Sequence, residues 1–195
     1  MRQAEINRRT AETEIALTLN LDGAGCASID TGVGFLNHML ELFCFHGRFD
    51  MTLQCRGDVQ VDDHHTVEDT GIALGLAVSQ ALGDRKGIAR YGNFLLPMDE
   101  ALVICAVDLC GRDTLGWQVT IPAQKVGSFD TELAQEFMLA FTRNAKTCLH
   151  FCQLAGGNSH HILEAVFKGF GRAMRQAVSI DPTCADATPS SKGVL

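Results

Sequence analysis

Tryptophan and tyrosine each occur once in the 195 residues, proline occurs four times, and no two of the eight cysteines are spaced C-x-x-C. Without that spacing a thiolate zinc site is not expected, and Cys26, Cys44, Cys55, Cys105, Cys110, Cys148, Cys152 and Cys184 read as small hydrophobes that stay thiols in a reducing compartment. No apolar run approaches the roughly 18 residues of a membrane span. The longest candidate, Ala101 to Val107, stops at Asp108. Met1 to Arg9 carries Arg2, Glu5, Arg8 and Arg9 with no apolar stretch behind them, which is not the pattern of a secretory signal, so a cytoplasmic location is expected. Positive charge is also scarce. A net charge of -7 excludes a general nucleic-acid binder, which needs a basic surface, but leaves room for a small phosphorylated metabolite held by a few cations.

What is present is the balance of a globular chain, 46% apolar and 20% charged, long enough for one domain over residues 1–195. From Glu14 to Leu21 apolar residues alternate as in a half-buried strand. A short strand is expected at Cys26 to Asp30, a helix at Phe35 to Phe45 with Leu36, Met39, Leu40 and Phe43 on one side, and a strand through Met51, Leu53 and Cys55. Asp62 and Asp63 can cap a long helix that buries Val67, Leu74, Ala77, Val78 and Ala81 and ends at Gly83. The order is ββαβα. After Gly87 it repeats, with strands at Ala101 to Leu109 and Leu115 to Ile121, a helix near Thr131 to Lys146, a strand at Thr147 to Leu154, and a helix from the loop at Gly156 to Ser159 to about Val178. This predicts an α+β fold of two duplicated halves, about 10–88 and 89–180, each a mixed sheet with helices on one face. Residues 181–195 read as an extended or flexible tail.

Each half begins its last helix with the same chemistry, His64-His65-Thr66-Val67-Glu68 and His160-His161-Ile162-Leu163-Glu164. Residues four apart share a helix face, so His64 converges with Glu68 and His160 with Glu164, while His65 and His161 point elsewhere. Each motif therefore offers ligands to two ions, and two metals per site follow as an expectation. Further ligands must come from the other half or another subunit. His38 and Glu136, each on the helix opening its segment, are the equivalent candidates. The eight residues His38, His64, His65, Glu68, Glu136, His160, His161 and Glu164 are enough for two ions. Imidazoles and carboxylates without cysteine suit manganese, iron, nickel, cobalt or zinc alike. His46 and His150 lack such partners and read as structural.

These motifs are those of a known family. Thr31-Gly32-Val33-Gly34-Phe35-Leu36-Asn37-His38-Met39, Asp62 to Asp69, Asn158-Ser159-His160-His161 and the tail Pro189-Ser190-Ser191-Lys192-Gly193-Val194-Leu195 resemble the imidazoleglycerol-phosphate dehydratases, in their monofunctional form. The resemblance runs from about Ala4 to the C-terminus. Asn37 stands where Asp is usual, and Glu136 where many members have His. The resemblance implies dehydration of D-erythro-imidazole glycerol phosphate to imidazole acetol phosphate in histidine biosynthesis, with two divalent ions, Mn2+ by resemblance, stabilising the imidazole as an imidazolate while the neighbouring hydroxyl leaves. It implies Glu12 as the acid or base and as a substrate contact. It also implies Arg90, Arg112, Lys168, Ser190, Ser191 and Lys192 as substrate-binding residues, and a homo-oligomer of 24 subunits with sites at subunit interfaces. Two rival readings share the ligands: another di-metal hydrolase, and a metal-binding protein without catalysis.

Overall fold

The computed structural model describes residues 2–195. The expected ββαβα order is present in each half, preceded by one more strand, with a small hairpin inserted before the first helix of the second half. The first half runs β1 (Gln3–Arg9), β2 (Thr13–Asn20), β3 (Ala27–Asp30), α1 (Gly34–Gly47), β4 (Asp50–Gly57) and α2 (His64–Leu82). The second runs β5 (Tyr91–Met98), β6 (Ala101–Asp108), β7 (Thr114–Gln118), the small hairpin β8 (Lys125–Val126) and β9 (Phe129–Asp130), α3 (Leu133–Ala145), β10 (Cys148–Ala155) and α4 (Ser159–Val178).

The two four-stranded sheets have the same topology, β1-β2-β4-β3 and β5-β6-β10-β7. In each, the last pair is parallel and the others antiparallel. The helices α1 and α2 lie on the first sheet, and α3 and α4 on the second. Across the middle the partners are exchanged, since α1 packs on α4 and α2 on α3. Four helices are thus sandwiched between two sheets, around one core containing Leu17, Phe43, Leu74, Phe137, Phe151 and Phe170.

The extra strands β1 and β5 are edge strands. In β1 only Ala4 is buried, so its alternation is faint, and β5 carries Pro97, which a sheet tolerates at an edge. At Gly92 of β5 a Cβ would lie inside the Ala173 carbonyl, so glycine is what lets α4 press on this strand. The segment expected as a strand to Ile121 ends at Gln118, because the chain turns away into the β8–β9 hairpin. Among the described residues no helix is long and apolar enough to cross a membrane.

Candidate metal centre

The cross-packing of helices decides which histidines meet. At the α1–α4 contact a Cβ on Gly171 would lie 2.5 Å from the Phe43 carbonyl oxygen, and at α2–α3 a Cβ on Gly75 would lie 2.6 Å from that of Phe141. Both pairs of helices are therefore in backbone contact, in the same register. Gly75 and Gly171 each follow their first motif histidine by eleven residues, and Phe43 and Phe141 follow His38 and Glu136 by five. The first half's His38 is thus delivered to the second half's motif. The same register sets α3, and with it Glu136, against α2.

The first of these meetings is visible atom by atom. The ligand atoms of His38, His160 and Glu164 all lie within 4.8 Å of one another. Glu164 Oε1 is 2.9 Å from His38 Nε2 and 3.2 Å from His160 Nε2, while its Oε2 accepts from Lys168 Nζ at 2.6 Å. Burial pushes the Glu164 carboxyl up, but hydrogen bonds from Lys168, His38 and His160 outweigh it and bring it down to about 2. It is an anion at neutral pH. Two imidazole nitrogens and a carboxylate oxygen converging in this way fit a divalent first-row metal. Among the described residues the α2 set of His64, Glu68 and Glu136 does not join this group or form a second one within that distance.

The diverging histidines are oriented by carboxylates that local spacing did not reveal. His161 Nδ1 lies 2.7 Å from Glu100 Oε2, and Glu100 Oε1 accepts from the backbone N–H groups of Asn158 and Gly157 at the head of α4. The His161 bond, then the Asn158 N–H, draws the Glu100 carboxyl down to about 2, and the same bond raises His161. His65 Nδ1 lies 3.0 Å from Asp58 Oδ2, which raises His65 likewise. With Nδ1–H donated to a carboxylate, Nε2 is the nitrogen left for a ligand. Glu100 sits 61 positions before His161, so only the fold pairs them.

The helix starts are built for this display. Asn158 caps α4 by accepting from His160 N and His161 N, whereas at α2 it is Asp62, not the adjacent Asp63, whose carboxylate accepts from His64 N. Asn37, the departure in α1, accepts from Thr31 N and Thr31 Oγ1 at 3.0 and 2.6 Å and so fixes the turn that leads His38 in. An amide oxygen suffices for that role.

Glu12 occupies the β1–β2 turn, exposed, with Oε1 3.7 Å from His65 Nε2. The other candidates separate into two places. Arg90 donates to Asp108 from Nε and Nη2 and to the Pro189 carbonyl from Nη1, which holds the tail and its Ser190, Ser191 and Lys192 beside the start of β5. Gly111, next to the exposed Arg112, backs onto Leu195 at the end of the same tail. Lys168 instead contacts Met98 Sδ at the other end of β5. Eight strand residues separate those ends by roughly 20 Å, so the expected substrate residues do not converge within one chain.

Fold and site together define a duplicated α+β protein that gathers imidazoles and carboxylates at the heads of two helices. The family model for imidazoleglycerol-phosphate dehydratase matches residues 31–174. Proteins named imidazoleglycerol-phosphate dehydratase from Ruegeria pomeroyi and Jannaschia sp. are 57% and 55% identical over 195 residues, each covering 100% of both chains. The crystal structure of imidazoleglycerol-phosphate dehydratase from Staphylococcus aureus superposes with a TM-score of 0.84 at 38% identity, covering 92% of this chain and 99% of that one. The Pyrococcus furiosus enzyme, crystallised in complex with (S)-C348, gives 0.85 at 35%, covering 97% and 100%. The chain belongs to the imidazoleglycerol-phosphate dehydratase family, and it is a carbon–oxygen lyase of the hydro-lyase class.

Proposed function

We propose that the chain converts D-erythro-imidazole glycerol phosphate to imidazole acetol phosphate and water in histidine biosynthesis, in the cytoplasm, at sites completed between subunits of a homo-oligomer of 24 copies. The observation that carries the shared site is the separation just described. One chain closes one cluster at the head of α4, leaves His64 and Glu68 of α2 outside it, and splits the expected substrate residues between the two ends of β5. Each is half of something. Juxtaposing copies brings the halves together, and the family membership supplies the reaction.

His38, His64, His65, Glu68, Glu136, His160, His161 and Glu164 are the residues that would hold two divalent ions, Mn2+ by resemblance, and the converging His38, His160 and Glu164 support that reading. Bound ions supply Lewis acidity that lets the substrate's imidazole carry negative charge. The rest falls to side chains. Arg90, Arg112, Lys168, Ser190, Ser191 and Lys192 donate to the phosphate and hold the substrate in one orientation. A hydroxyl leaves from the carbon next to the ring, and the hydrogen of the following carbon goes to the Glu12 carboxylate, leaving an enol that becomes the ketone. Lys168 bound to Glu164 keeps that carboxylate ionised. The two halves of the chain are themselves best explained as copies of one duplicated unit, a view their common strand order supports.

Incubation of metal-loaded protein with imidazole glycerol phosphate should yield the ketone with phosphate still esterified. Free phosphate instead would indicate a hydrolase. Bound metal without turnover would indicate a non-catalytic protein. Glu12→Gln should abolish turnover and leave metal content unchanged, and normal turnover in that variant removes its assignment.

A further inference from the structure

We infer that Asp69 is a positioning residue, whose buried carboxylate clasps the β1–β2 turn to α2 and so sets Glu12 against His65. The inference rests on the reading of Glu12 as the acid or base. Glu12 has little to fix it. Its carboxylate is exposed, and the 3.7 Å to His65 Nε2 is longer than a hydrogen bond. The frame around it must do the fixing.

That frame is closed by one oxygen. Asp69 Oδ2 accepts from Thr13 Oγ1 at 2.5 Å, and the same oxygen pairs with Arg8 Nη1. Arg8 is in β1 and Thr13 opens β2, so the carboxylate grips both sides of the turn that carries Glu12. Inside the turn, Thr10 Oγ1 accepts from the backbone N–H groups of Glu12 and Thr13 and lies 3.3 Å from Thr13 Oγ1, while Thr10 N donates to Thr13 O. The Glu12 backbone is therefore tied, through Thr10 and Thr13, to Asp69. Asp69 is four residues after His65, so it lies on the same face of α2, one turn further on. The helix face that carries His65 is the face that anchors the turn.

Asp69 is 6% exposed and Thr13 3%, and Arg8 lies in the chain's first strand, so the clasp spans 61 residues to bring a β-turn and a helix into one geometry. A buried carboxylate is costly unless paired and hydrogen-bonded, and here it is both. Packing alone would have been served by an apolar residue. A polar clasp adds direction, which a proton transfer between fixed atoms requires.

The test compares Thr13→Val with Thr13→Ser in the metal-loaded full-length protein, reading kcat, KM and bound metal. Valine keeps the shape and removes the hydroxyl; serine keeps the hydroxyl. The expected result is a fall in kcat of about tenfold to a hundredfold for Thr13→Val, the cost of a displacement of about 1 Å, with KM within about twofold, metal content unchanged and Thr13→Ser restoring kcat. Arg8→Gln, at the partly exposed end of the clasp, should lower kcat in the same direction and supplies the reading if Thr13→Val does not fold. Undiminished kcat in the folded variant, or equal losses for Val and Ser, overturns the inference. Glu12→Gln measured in parallel separates the two claims: if it is inactive while the clasp variants turn over normally, Glu12 stands and the clasp falls. If Glu12→Gln is active, the reading of Glu12 falls and the clasp with it.

Discussion

Replacing glycine by alanine at each of two positions on α4 should separate packing from chemistry. A Cβ on Gly171 would meet the Phe43 carbonyl oxygen at 2.5 Å and Gly47 N at 3.0 Å, whereas one on Gly169 would meet the Cβ atoms of Cys105 at 3.4 Å and Leu96 at 3.7 Å, ordinary contact. Alanine gains about 1 kcal/mol over glycine in a helix interior, which Gly169→Ala should show as added stability. At Gly171 the obstacle is backbone, which cannot swing aside. Clearing it moves α1 off α4 by nearly 1 Å, and forced overpacking costs about 1–3 kcal/mol. The propensity gain is common to both helix-interior positions and cancels, so the two variants should differ by about 1–3 kcal/mol in urea unfolding of the metal-free protein. The same displacement carries His38 away from Glu164, now 2.9 Å distant, so Gly171→Ala should also lose metal affinity and turnover by at least about tenfold while Gly169→Ala keeps both. Equal stability and equal metal affinity in the two variants would refute the claim that helix contact sets the cluster.

Asp50 Oδ1 accepts from the backbone N–H groups of Ala24, Gly25 and Cys26 at about 3 Å, so Asp50→Ala should cost about 2–3 kcal/mol in urea unfolding. The Cys26 and Ala24 N–H groups also hold the Asp50 carboxyl below its usual value. A depressed folded pKa stabilises above the unfolded pKa, near 4, and that contribution is lost as pH falls through the folded value; the gap between wild type and Asp50→Asn should close below pH 4. Removing the last six residues, which include Ser190 to Lys192, should raise KM by at least about tenfold or abolish turnover, and unaltered kinetics would dismiss the tail as a phosphate contact. Stripping the metal with a chelator should shift size-exclusion elution toward smaller species, because binding that exists only in the assembly stabilises it by mass action; superimposable profiles would deny that coupling.

Much of this was legible in the sequence. Alternation and helical periodicity located β2, α1, α2, α3, β10 and α4, because each buries one well-marked face. The strands β1 and β5 escaped because an edge strand needs little apolar alternation, and a glycine and a proline further mask β5. The motif spacing, too, foretold that His160 and Glu164 converge. It did not foretell that His38 would join them instead of its own half's motif, since that follows from the exchange of helix partners across the core. Asp58, Glu100 and Asp69 were invisible for a related reason. Each acts on residues elsewhere in the fold through individual hydrogen bonds or ion pairs, and such pairings leave no periodic trace.

The central claim is that one functional site takes its α4 cluster from one copy and its α2 ligands from another. It is tested most directly by assembling mixed oligomers from two variants, His38→Ala and His64→Ala, each inactive alone. Random mixing leaves about a quarter of shared sites with both contributions intact, so imidazole glycerol phosphate dehydration should return to about a quarter of the wild-type rate. If each chain supplied its whole site, no chain in the mixture would be complete, and mixed oligomers no more active than either parent would contradict the account.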